Sequence, residues 1–299
     1  MNKYQKNLLV LHITVLVFGL TGIFGKLLED LGALNTVYYR VLIGGVGIGV
    51  YAVLKRKSLR LTSLKQLMQL AGVGALICAH WFFFFESINL SNVSVALATI
   101  STTSLFLALL QPLITSRKLV RYEILLGVLV ILGLVIILGY EFQYWKGILF
   151  SLIAALLAAI FSLINSNLVQ NTDSTLISFY EIGSGAVLLG LILLLTGSLT
   201  PVSDVSAWQW LWLGLLGLLA TSFAFIASVA VMKVLSPFTV SLTINLEPIY
   251  SIIIALLIFK EDEHMSPQFY VGALLIISTL FLNAYFKKKE RKQKTLLEN

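Results

Sequence analysis

A single cysteine, Cys78, stands in 299 residues, so the chain has no disulfide framework. Its place inside an apolar run reads as that of a small buried side chain. Charge is almost as scarce: 12% of the residues are Asp, Glu, Lys or Arg, about half the roughly 25% of a soluble domain. Connections between apolar runs are too short to hold a soluble domain, and no linker is rich in proline or serine. There is no nucleotide-binding loop and no H-E-x-x-H or comparable catalytic cluster. An internal ATP engine is thereby excluded, and neither a cofactor nor an enzymatic reaction is expected. The net charge of +7 does not point to nucleic acid, because the basic residues concentrate in loops beside apolar segments.

What the chain has is apolar length. With 58% hydrophobic residues recurring from end to end, it reads as a polytopic membrane protein whose partner is the lipid bilayer. Spans of about 20 residues are expected, since that many at 1.5 Å rise cross the hydrocarbon core. Ten are predicted: Leu8–Leu27, Thr36–Leu54, Leu67–Ile88, Val93–Ile114, Tyr122–Leu138, Gly147–Leu168, Leu176–Leu195, Trp208–Val231, Phe238–Phe259 and Phe269–Phe286. Residues 1–25 resemble a signal peptide but lead into no mature soluble domain, so they read as a retained first span. Seventeen basic residues fall on one side of these spans, among them Lys55, Arg56, Lys57, Arg117, Lys118 and the run from Lys287, and only Lys26, Lys146 and Lys260 on the other. That bias puts both termini in the cytoplasm. The tail after Lys287 is expected to be disordered, its basic run lying against anionic lipid.

A weak internal repeat accompanies the spans. Tyr39-Arg40 enters the second span as Tyr180-Glu181 enters the seventh, and A-T-I-S-T-T-S-L from Ala98 parallels L-T-I-N-L-E-P-I from Leu242. G-V-L-V-I-L-G from Gly127 parallels G-A-L-L-I-I-S from Gly272. Five spans per unit is an odd number, so the second copy must be inverted, and transporters with inverted repeats hold substrate at the mid-membrane interface. The fold class expected is all-α integral membrane: ten transmembrane helices as two inverted five-helix repeats. On N-L-E-P-I-Y in the ninth span, K-E-D-E-H-M-S-P-Q-F-Y-V-G after it, the early arginine of the second span and the two five-span units, the chain resembles the drug/metabolite transporter superfamily of the EamA type. The family often shows a glutamate after the fourth span, a loop position where this chain has Arg117-Lys118. The resemblance implies a first repeat over 1–144, a second over 145–286, a basic cytoplasmic tail over 287–299, and a central cavity between the halves. It also implies a small-molecule substrate, with efflux of amino acids or related metabolites frequent.

Glu247, beside Pro248 near the middle of the ninth span, is the leading candidate for that cavity. A carboxylate at that depth is costly and usually faces a bundle interior or water, and the proline deprives the Ile244 carbonyl of its helical donor. Thr243 and Tyr250, at i−4 and i+3, should share its face. Glu247 either binds a substrate amine or coupling proton, or serves as a structural pivot at a kink. Thr103 is its repeat equivalent, and with Thr99 it either lines the facing wall or bonds its own helix. His80 and Trp81 sit mid-span ahead of four phenylalanines, as site groups or as packing. Asn165, with Ser162 and Ser166, forms a polar face in the sixth span. Arg40 and Glu86 could form an outer latch, a static pair, or no pair if Arg40 snorkels; Glu181 is the counterpart of Arg40. Together these point to a secondary transporter working by alternating access. The alternatives are a sugar-phosphate or nucleotide-sugar carrier, a channel and an intramembrane enzyme.

Overall fold

The computed structural model describes residues 2–114, 121–244, 246–260 and 265–298, and those residues form helices joined by short turns, with no strand among them. In lipid a backbone must satisfy its own polar groups, and helices do so within each segment. The elements are α1 (Lys3–Phe18), α2 (Thr21–Lys26), α3 (Ala33–Leu54), α4 (Leu64–Leu90), α5 (Val93–Ile100), α6 (Thr103–Ile114) and α7 (Arg121–Tyr140). They continue as α8 (Trp145–Asn171), α9 (Ser174–Leu195), α10 (Ala207–Leu215), a π-helical segment Leu216–Phe223, α11 (Ala224–Val231), α12 (Pro237–Ile244), α13 (Glu247–Phe259) and α14 (Pro267–Glu298). Side-chain caps set several of the starts. Ser63 and Asn92 accept from backbone N–H groups in the first turns of α4 and α5, and Ser206 with Gln209 makes a capping box at α10.

Among the described residues, seven helical stretches are long and apolar enough to cross a membrane, and three shorter apolar helices accompany them. The shorter ones are Leu125–Tyr140, Ile249–Phe259 and Pro267–Asn283. Three of the expected spans are not single rods. The first breaks between α1 and α2, the fourth between α5 and α6, and the ninth between α12 and α13. The fourth and ninth break at the same place in the repeat, the step from Ile100 to Thr103 corresponding to that from Ile244 to Glu247. The tail expectation needs correcting: α14 runs unbroken to Glu298, because nothing after Pro267 but one glycine interrupts a run of good helix formers. The loop carrying Arg117 and Lys118, and the acids at 261–263 with His264, lie outside the described residues.

Packing reproduces the repeat. α3 packs on α9 and α7 on α14, and the broken spans meet through α5 with α13 and α6 with α12. Contacts that are not self-paired come in exchanged pairs: α4 with α8 is matched by α11 with α1, and α4 with α9 by the π segment with α3. Each principal contact therefore has a mate when the two halves are swapped. Close approach of α7 and α14 depends on glycine, for a Cβ on Gly133 would meet the Gly272 carbonyl at 2.8 Å, and one on Gly272 would meet the Gly133 carbonyl at 2.7 Å. Small residues let membrane helices gain van der Waals contact where no hydrophobic drive is available.

α3 and α9 are also tied at both ends. At one, Lys57 Nζ meets Asp173 Oδ2 at 2.8 Å and Tyr180 Oη donates to the Leu59 carbonyl at 3.0 Å. At the other, Asn35 Nδ2 donates to the Ser198 carbonyl at 3.1 Å, its Oδ1 accepts from Thr200 N at 3.0 Å, and Tyr39 Oη donates to the Thr200 carbonyl at 2.6 Å. The hydrogen bond to Asp173 holds the Lys57 ammonium above its ordinary range. Burial alone would raise the Asp173 carboxyl, but the bonds from Lys57 and Thr175 outweigh it and hold it below its ordinary range.

Candidate functional site

A cavity of about 120 Å³ lies where the broken spans meet. A single water needs about 10–15 Å³ on such a measure, so the space fits several waters or a small metabolite. Its charged and titratable lining consists of Arg40, His80 and Glu247. Aromatic walls come from Phe18, Trp81, Phe84, Phe161 and Phe225, and small polar groups from Thr21, Ser101, Thr103, Ser162 and Ser228.

Glu247 begins α13, directly after the break, with Pro248 following it in the first turn. Proline is tolerated there because the first N–H groups of a helix have no intrahelical acceptor. The carboxylate thus sits at a helix N-terminus, where the aligned peptide dipoles favour negative charge. Thr21 donates to Glu247 Oε1 at 3.4 Å and to the Phe18 carbonyl at 2.7 Å. Ser251 Oγ donates to the carbonyl of Gly19, so the break in the first span is fastened against the one in the ninth.

Arg40 lines the same cavity as Glu247. Only 1% of Arg40 is exposed. Its guanidinium lies 3.9 Å over the Trp81 ring, and Nε donates to Thr221 Oγ1 at 2.8 Å. Thr221 belongs to the π segment, and its hydroxyl in turn donates to the Leu216 carbonyl five residues back at 2.9 Å. The wider turn makes that bond possible, and π bulges recur at functional sites. The latch expectation is therefore corrected. Glu86 accepts from Asn89 at 3.3 Å, and the only ion pairs among the described residues are Lys26–Glu29 and Lys57–Asp173. Arg40 points into the bundle onto an aromatic face, while Glu86 points elsewhere on its helix.

His80 Nδ1 lies 2.8 Å from the Ala154 carbonyl. A carbonyl only accepts, so Nδ1 carries the hydrogen, and in the neutral ring Nε2 is then the acceptor. The ring edge rests on Phe161, with centroids 5.4 Å apart.

Of the residues expected at a site, the structure brings Glu247, His80, Trp81 and Thr103 to the cavity, with Arg40 moved there from the latch. Thr103 Oγ1 donates to the Ile100 carbonyl across the break at 2.7 Å. Thr99 is fully buried away from the cavity. Thr243 donates to its own helix at Thr239, and Tyr250 is 38% exposed on the outer surface. Thr243 is separated from Glu247 by the break between α12 and α13, and Tyr250, although in the same helix as Glu247, does not line the cavity. Asn165 donates to Glu181 Oε2 at 3.1 Å, and that pair is buried outside the cavity. Sequence reasoning missed Thr221 and Thr21. A threonine in an apolar span usually bonds its own helix, and the signal that remained was their placement among glycines, at Gly19, Gly22 and Gly217.

The model of the EamA-like transporter family matches the chain twice, at residues 5–139 and 145–285. A solved structure described only as a crystal structure of a protein has the same fold, with a TM-score of 0.71 at 16% identity over 94% of this chain and 96% of that one. No curated protein matches the chain. The two family matches coincide with the halves that the packing exchanges.

Proposed function

From the chain's belonging to the EamA-like transporter family, multi-pass membrane transporters of small molecules, we propose that it exports zwitterionic metabolites such as amino acids across the cytoplasmic membrane by alternating access. In this reading there are ten spans, and units 1–144 and 145–286 are inverted relative to one another. Residues 287–299 form a basic tail, and both termini face the cytoplasm. The exchanged helix contacts and the one-sided basic loops support that arrangement. No step of bond chemistry is assigned.

The observation that carries the substrate class is the opposition of Arg40 and Glu247 in one aromatic-walled cavity. Glu247 receives the ammonium of the substrate and Arg40 its carboxylate, planar guanidinium being suited to carboxylate recognition. Trp81, Phe84 and Phe161 take the apolar side chain, and His80 Nε2 and Thr103 offer further polar contacts. A single buried cation favours one carboxylate over a phosphate-rich cargo. The sequence has no ATP-binding loop, and in this reading transport is secondary, with a proton as the coupling ion.

The test is flux of L-phenylalanine in proteoliposomes, in competition with phenethylamine and phenylpropionate, which lack the carboxylate and the amine respectively. Both analogues should compete poorly. Glu247→Gln keeps size and hydrogen bonding but loses charge, and it should abolish most flux while insertion and melting stay normal. Near-normal flux through the glutamine variant, at neutral and mildly acidic pH, would refute the role given to Glu247.

A further inference from the structure

Glu181 is completely buried and does not line the cavity. Its Oε2 accepts from Asn165 Nδ2 at 3.1 Å. Its Oε1 has no hydrogen-bond partner, and neither do Asn165 Oδ1 and Ser178 Oγ nearby in the chain. A buried carboxylate with one neutral donor leaves its charge uncompensated, and a membrane interior penalises such a charge as it does one stripped of its partner.

A proton removes that penalty and changes the hydrogen-bond count as well. The ionised carboxyl is acceptor-only and the protonated one carries an O–H donor. Asn165 suits both states, because its amide offers Nδ2 to the carboxylate and, turned over, Oδ1 to the acid.

The charged and titratable groups around Glu181 leave it alone. On α9 itself, the Tyr180 hydroxyl is taken by Leu59 and Glu181 has no acidic neighbour within a turn. From α4, Cys78 packs at Gly185 and His80 is bound to Ala154. From α3, Arg40 is held by Thr221 and Trp81, and Tyr38 lies at Gly190. α8 carries Lys146 at its far end and α11 has no titratable residue.

The position lies between the cavity and one end of α9. Asn165 is one turn beyond the cavity-lining Phe161 and Ser162 on α8. In the other direction Glu181 is eight residues, roughly 12 Å, along α9 from the exposed Asp173 at its start.

We infer that Glu181, with Asn165 as its partner, binds the coupling proton at a site separate from the substrate cavity. The step is simple proton binding: a proton adds to a carboxylate oxygen on one side of the cycle and leaves it on the other. The inference rests on the transport reading above for its consequence, though not for the proton site itself.

Two measurements test it separately. Infrared difference spectra of the reconstituted full chain, stepped in pH without substrate, should show a carboxylic-acid C=O band that changes with pH, vanishes in Glu181→Gln and persists in Glu247→Gln. No pH-dependent band assignable to Glu181 would overturn the inference. In flux assays with L-phenylalanine, a pH gradient should accelerate transport by the wild type. Glu181→Gln should lose that acceleration, and Glu181→Asp, which keeps a titratable carboxyl, should retain part of it. Full gradient response in Glu181→Gln would overturn the coupling role. A wild type that moves no phenylalanine would strike at the substrate class alone, and the infrared band would then decide the proton site by itself.

Discussion

Thr221→Val is the sharpest probe of how the cavity's cation is held. Valine has nearly the shape of threonine but replaces the hydroxyl that accepts from Arg40 Nε at 2.8 Å. Both residues are buried, at 0% and 1% exposure, so bulk solvent does not reach the lost bond. A hydrogen bond to a charged group is worth about 1.5–3 kcal/mol. At about 2–4 °C per kcal/mol for chains of roughly this size, the melting midpoint should fall by roughly 3–12 °C. Thr221→Ser restores the hydroxyl and should recover most of that loss. Thermal unfolding of the purified protein in one detergent, followed by tryptophan fluorescence, reads the difference. The Trp81 stack at 3.9 Å remains in all three proteins, so the series isolates the hydroxyl. A valine variant that melts within about a degree of wild type would show that Thr221 does not anchor Arg40.

Glycine spacing makes a paired prediction on α4. A Cβ on Gly74 would overlap the Glu181 carbonyl oxygen, whereas one on Gly72 meets nothing within 4 Å; Gly74→Ala should destabilise by about 1–3 kcal/mol or more and Gly72→Ala should not, as melting will show. Asp173→Asn should cost less than about 1 kcal/mol, because the pair is half-exposed. The depressed Asp173 contributes above its ordinary 3.8 and loses that contribution as pH falls through its lowered value, while the raised Lys57 contributes below its ordinary 10.5 and loses it as pH rises through its raised value. Wild type and variant should therefore melt apart between those limits and converge beyond either. For orientation, Asp204→Cys should react with an impermeant thiol reagent from outside sealed cells and Lys289→Cys should not, with the native Cys78 silent at 2% exposure; the reverse labelling would invert the assigned topology.

Depth in the membrane was legible from the sequence, and direction around a helix was not. Glu247 and His80 could be found because a charge or an imidazole in a long apolar run has few places to go. Arg40 stood out for the same reason, but its depth was compatible with Glu86 as well as with Trp81, and only the rotation of α3 decides between them. Thr243 was placed on the face of Glu247 because i−4 spacing assumes one continuous helix, and the chain breaks between α12 and α13. Ser101-Thr102, the equivalent break, has no proline to announce it. The π segment left no mark in composition, since one extra residue per turn changes backbone bonding and not residue type. Repeat reading did better: the parallel between Ala98 and Leu242 is matched by breaks at the same position.

The difference between unbroken and broken spans has a mechanical meaning. α3 and α9 are 22 residues each, continuous and pinned to one another at both ends. As stiff beams roughly 33 Å long, they would carry a push at one membrane face undiminished to the other. The pairs α5–α6 and α12–α13 are jointed at mid-depth, and a joint passes on force without passing on angle. One half of such a span can tilt while the other stays seated. Because both joints meet at the cavity, a load placed there by a bound molecule falls on the two points of the frame that yield most readily, and the beams keep the rest in register.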